Sequence, residues 1–381
     1  MISGRSGAEP VYVVGGGPGG LAVAAVLGRY GIPVTVLERG DAVGASWRTH
    51  YDRLHLHTVR GLSGLPGFPI PRAYGRWVAR DDMVRYLEQY SAHHRLDVRT
   101  GVEVERIDWA NGRARWVLRT NRGDEISANS VVVATGNNHT PELPDGAGTF
   151  TGALLHAKDY RNPGPYADRD VLVVGVGNTG AEIAADLAAG GAGRVRLAVR
   201  TPPHIVRRDV AGWPSQLTGI LMRHLPATVV DRAANWQARL SMPDLTPYGM
   251  PRPQDGLYTR ILTHRVVPVQ DVGIVDAVRT GKVEPVASVI GFDGAVVRLA
   301  DGSEITPDVV IAATGYSRGL NPIVGHLGVL DGRGIPRVSG GAVAPGLYFT
   351  GYRISISGAL RDMAVDARRI GRAIGRPAAA P

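Results

Sequence analysis

The segment Val11-Tyr12-Val13-Val14-Gly15-Gly16-Gly17-Pro18-Gly19-Gly20-Leu21 decides the fold. Apolar, strand-forming residues run directly into a glycine cluster, and an apolar stretch of helical character follows over residues 21–30. Gly15, Gly17 and Gly20 stand in G-x-G-x-x-G spacing. The first permits the turn, the second lets backbone approach a pyrophosphate, and the third lets helix and strand pack closely. The N-terminus of such a helix offers free N–H groups to a diphosphate. Residues 34–37 read as the next buried strand, and Glu38 at its end stands where a carboxylate grips ribose hydroxyls. This unit fits FAD or NAD.

The pattern returns at Val171-Leu172-Val173-Val174-Gly175-Val176-Gly177-Asn178-Thr179-Gly180. Gly175, Gly177 and Gly180 repeat the spacing, Asn178 lies in the loop, and residues 181–189 read as the helix. The next strand, 195–199, ends in Val199-Arg200-Thr201 without an acid. A 2′-phosphate would be repelled by an acid and attracted by Arg200, so the second unit fits NADPH. Arg207 and Arg208 either assist there or are solvated. Two nucleotide sites in one chain imply electron transfer between them, with a flavin as the intermediary.

Outward from these loops, helical spacing of Met83, Val84, Leu87 and Tyr90 predicts a helix over 81–93. Alternating strands are expected over 102–126 with a turn at 122–124, and a buried strand over 131–134 ends in Ala134-Thr135-Gly136. Residues 217–240 are less regular, and Pro226 breaks any helix there. Alternation resumes at 283, with a turn at Asp301-Gly302. A strand over 309–312 ends in Ala313-Thr314-Gly315. A strand over 347–350, a helix over 357–374 and a frayed tail, GRPAAAP, follow. The fold class is α/β, with two Rossmann-like dinucleotide-binding domains and the NADPH domain inserted into the FAD domain. The expected division is 1–165 for the first part of the FAD domain, 166–299 for the NADPH domain and 300–381 for the second part, with the two ATG segments as crossings.

Composition narrows the function. The 381 residues include no cysteine, which excludes disulfides, thiolate metal sites and any catalytic dithiol. The histidines show no compact ligand spacing, so no metal is expected. The formal net charge is +9, with arginines scattered along the whole chain, and no nucleic-acid partner is expected. Residues 11–28 are uncharged but hold six glycines and a proline, which suits strand, turn and helix better than a membrane span. With no signal-peptide pattern at the start, a cytoplasmic location is expected. Oligomeric state is not legible.

Further motifs resemble one family. Phe150-Thr151-Gly152-Ala153-Leu154-Leu155-His156-Ala157-Lys158-Asp159-Tyr160 matches the signature FxGxxxHxxx[YF] of class B flavoprotein monooxygenases, ahead of the second glycine loop as in that family. Tyr160 favours the flavin-containing monooxygenase branch over the Baeyer–Villiger branch. Ala134-Thr135-Gly136 and Ala313-Thr314-Gly315-Tyr316 match its interdomain links. Tyr51-Asp52-Arg53-Leu54-His55-Leu56-His57, Tyr248-Gly249-Met250-Pro251-Arg252-Pro253 and Val269-Gln270-Asp271-Val272-Gly273 resemble the YUCCA-type indole-3-pyruvate monooxygenases.

The resemblance implies FAD, NADPH, molecular oxygen and a small organic substrate. It also implies an FAD C4a-(hydro)peroxide guarded by retained NADP⁺ in a site that excludes water. His57, where microsomal-type members carry Asn, becomes the expected catalytic side chain, donating a hydrogen bond near flavin and nicotinamide, or else a structural histidine. Trp47 is expected to cover the flavin or to pack in the core. Arg53 is expected to contact flavin phosphate or an anionic substrate, or to form an ordinary salt bridge. Thr135, Gly136 and Gly351 approach the flavin, while His156 and Tyr160 brace the interdomain loop. The substrate is a nitrogen or sulfur compound or a 2-oxo acid. An NADPH oxidase or quinone-type flavin reductase, and a non-enzymatic flavin redox sensor or binding protein, stay as alternatives.

Overall fold

A computed structural model describes residues 10–110, 115–222 and 224–375. The residues before Pro10, and the tail after Gly375 read above as frayed, lie outside the described residues. Two parallel sheets organise the chain. The first has the order Ala342–Ala344, Leu347–Phe349, Val131–Val133, Val11–Val14, Val34–Leu37, Asp97–Arg99, and only its Ala342–Ala344 edge is antiparallel. The second has the order Glu284–Ala287, Arg194–Val199, Asp170–Val174, Val309–Ala312, Ala153–His156, all parallel. The central strands are continuous apolar runs because both faces are covered; Val131–Val133 and Val309–Ala312 are buried throughout.

Each sheet carries a three-stranded antiparallel sheet inserted before its closing central strand. These are Val104–Ala110, Arg115–Thr120 and Glu125–Ala128 in the first unit, and Val289–Asp293, Val296–Leu299 and Glu304–Ile305 in the second. The expected turns close these sheets: Gly123 donates to the Thr120 carbonyl, and Ser303 N–H donates to the Asp301 carboxylate.

The glycines do what their spacing requires. Gly15 holds φ +112°, and a Cβ there would lie 2.5 Å from the Ala134 carbonyl oxygen; at Gly20 it would lie 1.9 Å from the Gly15 carbonyl oxygen. The second unit repeats this, with Gly175 against the Ala313 carbonyl at 2.6 Å and Gly180 against the Gly175 carbonyl at 1.9 Å. Each ATG segment is thus the wall against which its glycine loop turns. The helices begin earlier than the apolar pattern alone indicates, at Pro18 and Asn178. Proline suits a first turn, whose N–H groups have no intrahelical partner. Pro18–Arg29 lies against the long helix Ala359–Gly375, and Arg80–His93 adds Met83, Tyr86, Leu87 and Tyr90 to the same core.

Strand pairing corrects the expected domain limits. Ala153–His156 and Val309–Ala312 both belong to the second sheet, so the second unit begins before 166 and runs past 299. The chain leaves the first sheet at 134–136 and returns after 313–315, at the two ATG segments. Pro226 ends the region after Ser215–Met222 and caps a new helix, Ala227–Ser241. This helix packs on Leu257–His264 through Val230, Tyr258 and Ile261. No described helix is long and apolar enough to cross a membrane.

Candidate active site

The first glycine loop opens onto a cavity of about 750 Å³. Gly15, Gly17 and Glu38 line one end. Glu38 is buried, and its carboxylate accepts the N–H of Gly16 at 2.6 Å and of Gly40 at 2.7 Å, which fixes its direction. A Cβ at Gly17 would meet nothing within 4 Å, so the space before that backbone is open to a ligand. These features fit the diphosphate and ribose of FAD.

Trp47, Thr135, Gly136 and Gly351 line the same cavity, as do Ala359, Leu360 and Met363 from the start of the C-terminal helix. Thr135 is held by Tyr352, whose hydroxyl accepts the Thr135 N–H at 3.0 Å and lies 2.7 Å from Thr135 Oγ1. Burial pushes that phenol up to about 12. The Gly351 carbonyl accepts a 2.8 Å hydrogen bond from the Asn137 side chain.

A second cavity of about 410 Å³ shares Thr58, Asn137 and Ala359 with the first. Its walls are mostly apolar and come largely from the helical region, through Met222, Val230, Ala234 and Ala238. Its polar residues include His57, Asn178, Gln270 and Arg207. Asn178 donates to the Pro268 carbonyl at 3.1 Å and accepts the Gln270 N–H at 2.7 Å. His57 Nδ1 and Gln270 Oε1 are buried without hydrogen-bond partners.

A Cβ at Gly177 would also meet nothing within 4 Å, and the helix behind it starts at Asn178; this fits a second dinucleotide. Arg200 is exposed just past Arg194–Val199, and among the described residues no carboxylate lies within 4.0 Å of it. Arg208 instead lies over Trp77, 5.3 Å from the ring centroid.

Arg53 and His57 each carry two readings. Arg53 lines neither cavity: it pairs with Asp186 at 3.4 Å and donates to the Val272 carbonyl at 3.1 Å. A carboxylate and a carbonyl of the second unit satisfy it, which is the salt-bridge alternative, and it links the two units. His57 does line a cavity, and its Nε2 also lies 2.7 Å from Glu182 Oε1, a carboxylate only 3% exposed. Tyr51 is buried beside Glu182, and its hydroxyl is pushed up by burial and by that carboxylate. Neither Glu182 nor Asp186 was found from the sequence. The available signal was a pair of acids one turn apart in the otherwise apolar helix Asn178–Ala189.

The signature residues brace the crossing. The Lys158 N–H donates to His156 Nδ1 at 3.1 Å, so Nε2 carries the proton and donates to the Gly315 carbonyl at 3.0 Å. Burial lowers the His156 pKa, favouring this neutral form. Tyr160 is fully buried and donates to Asp186 at 2.8 Å.

Residues 12–213 match the family model for pyridine nucleotide-disulphide oxidoreductases. The chain is 37% identical over 309 residues to the indole-3-pyruvate monooxygenase YUCCA1 of Oryza sativa subsp. japonica, spanning 80% of this chain and 76% of that one. It is 32% identical over 366 residues to the probable indole-3-pyruvate monooxygenase YUCCA3 of Arabidopsis thaliana, spanning 92% and 84%. A solved flavin monooxygenase from Stenotrophomonas maltophilia, in a doubly substituted form, superposes with a TM-score of 0.72 at 26% identity, covering 96% of this chain and 98% of that one. The chain belongs to the pyridine nucleotide-disulphide oxidoreductase family, with the fold of its flavin-monooxygenase members. It has the architecture of an oxidoreductase that uses FAD and NADPH.

Proposed function

We propose that this protein is an NADPH-dependent flavin monooxygenase that oxygenates a small, largely apolar organic molecule, with an aryl-substituted 2-oxo acid as the leading candidate. The observation that carries the reading is the junction of the two cavities at Thr58, Asn137 and Ala359. A substrate in the apolar chamber would lie beside a flavin in the first cavity. Arg207 lines that chamber, is exposed, and has no carboxylate within 4.0 Å among the described residues, which suits an acid with an apolar tail. Relatives named as indole-3-pyruvate monooxygenases support the same substrate class.

In this reading Gly15, Gly17, Gly20, Glu38, Thr135, Gly136, Trp47 and Gly351 hold FAD. Gly175, Gly177, Asn178, Gly180 and Arg200 hold NADPH. His57 lines the apolar chamber, next in sequence to the shared Thr58, and is the candidate catalytic side chain. Bound flavin accepts hydride and activates oxygen; the chain orients both partners and keeps water and peroxide loss in check. Without cysteine, a dithiol relay of the kind the family name suggests has no residues to run on.

The test measures oxygen uptake, NADPH consumption and free peroxide together, with phenylpyruvate, indole-3-pyruvate, an aryl amine and a thioether. Equal consumption of oxygen and NADPH, little peroxide and a strong response to the oxo acids are expected. Stoichiometric peroxide with every compound would show an NADPH oxidase. Failure of NADPH to reduce bound flavin would show a sensor or binding protein.

A further inference from the structure

Asn178, Glu182 and Asp186 stand at every fourth position of Asn178–Ala189 and therefore share one face of that helix. The structure gives each a different partner. Asn178 ties down Pro268 and Gln270, at the start of the strand Val269–Asp271, beside the apolar cavity. Glu182 meets Tyr51 and His57 of the first unit. Asp186 meets Tyr160 and Arg53. The middle position is the unusual one. A carboxylate with a side chain 3% exposed is costly to keep charged unless a cation and hydrogen bonds compensate it. His57 is the one basic side chain within 4.0 Å of it among the described residues. Its Nε2 lies 2.7 Å from Oε1, which has no other donor among the described residues. The other ring nitrogen, Nδ1, is left buried and unpartnered in a residue that lines the cavity.

We infer that Glu182 is a positioning residue: from the nucleotide helix of the second unit it holds the His57 imidazole of the first in place at the wall of the apolar cavity, next in sequence to Thr58, where the two cavities join. The inference rests on the oxygenase reading above. It makes the His57 orientation depend on the packing of one unit on the other, because the holder and the held residue lie on opposite sides of the crossing. One turn further on, Asp186 accepts a hydrogen bond from Tyr160 and pairs with Arg53, which ties the same helix face to the segment that carries His57.

The experiment is a double-mutant cycle on FAD-loaded protein with E182Q, H57Q and the double variant. The kinetic probe is NADPH with oxygen and no substrate, read as peroxide release, alongside anaerobic flavin reduction. E182Q is expected to raise peroxide release roughly tenfold or more while flavin reduction and NADPH affinity stay within about threefold. H57Q should raise peroxide release at least as much, and the double variant should stay within about threefold of H57Q in peroxide release, since Glu182 acts through His57. Multiplying losses would overturn the inference.

Nitrogen NMR of the holoprotein supplies a readout independent of turnover. The His57 ring resonances, assigned by their absence in H57Q, should move in E182Q while the other histidines stay in place. Unmoved resonances would overturn the inference. If E182Q does not fold, E182D, which keeps the charge and shortens the reach, must show the same pattern in reduced degree. If wild-type protein releases peroxide as fast as its flavin is reduced, the oxygenase reading fails, and the NMR arm still decides whether Glu182 positions His57.

Discussion

A methyl group at Gly17 would enter open space, whereas at Gly20 it would strike the Gly15 carbonyl oxygen at 1.9 Å. The two glycines of one motif therefore predict different failures. Gly17 has φ −83° and ψ −175°, which alanine adopts without strain. G17A should melt within about 0.5 kcal/mol of the parent, yet lose FAD because the methyl occupies the pyrophosphate's approach. G20A should lose about 1–3 kcal/mol or more through overpacking. Thermal melts paired with flavin content of the purified proteins check this, and full flavin retention by G17A would remove Gly17 from the site. Arg200 makes a second test. R200A should weaken NADPH by about tenfold, or 1.4 kcal/mol, while leaving NADH nearly unchanged. An equal loss for both donors would assign Arg200 to the fold. These residues were legible because their reasons are local: a turn, a close approach, a missing acid after a strand. Glu182 was not, because its meaning lies in His57, and nothing within the helix says which segment will cover that face. For Arg53 the sequence left a phosphate contact and a salt bridge both open for the same reason, its partners Asp186 and Val272 being distant in the chain.

Elements were recognised where apolar runs or helical spacing were strong, and their membership in a sheet was the harder question. Ala153–His156 and Val309–Ala312 could hydrogen-bond to either sheet as far as local chemistry goes, and only pairing with Asp170–Val174 and with each other places them in the second. Pro226 correctly marked a break, but the helices on either side acquire their role from the cavity they roof. Ser215–Met222 is fastened by Gln216, a buried amide. Its Oε1 accepts the Val59 N–H at 3.0 Å, and its Nε2 donates to the Ser357 carbonyl at 2.7 Å. One side chain thus joins the roof to both the His57 segment and the loop before the C-terminal helix. Q216A leaves a buried N–H and a buried carbonyl without partners, at a cost of about 1–3 kcal/mol for each group left unsatisfied. Limited proteolysis should then cut within 215–264 faster than in the parent, and urea unfolding should begin earlier. Unchanged cleavage and an unchanged unfolding curve would mean the roof is held elsewhere.

At the scale of the whole molecule, the repeated unit and the crossings between its copies bury several imidazoles, and this sets an acid limit. His50, His94, His139, His156 and His204 all have pKa values lowered from 6.5, with burial the largest cause in each. Nearby guanidinium groups add to the shift at His50, from Arg161 and Arg80, and at His204, from Arg260. The folded protein therefore keeps these rings neutral at a pH where the unfolded chain has begun to protonate them. Where the unfolded state binds more protons, stability rises with pH. It must accordingly fall as pH drops below the unfolded value of 6.5 and continue to fall until the lowered folded values are reached. Asp52, Asp244, Asp255, Asp301 and Asp331 are all held below 3.8, so the loss continues with the same sign further into acid. Asp366 opposes the trend, because burial raises its carboxyl above 3.8 and its contribution is lost as pH rises through that folded value. One carboxyl works against five imidazoles, in a range that begins lower. Urea unfolding of the holoprotein followed at pH 8, 7, 6 and 5 should show a midpoint that is flat at the alkaline end and declines from about pH 6.5 downward. H156Q keeps a side chain able to donate to Gly315 but cannot titrate, so it should decline less steeply. A midpoint that holds or rises between pH 7 and pH 5 would show that these rings are not kept neutral by the fold.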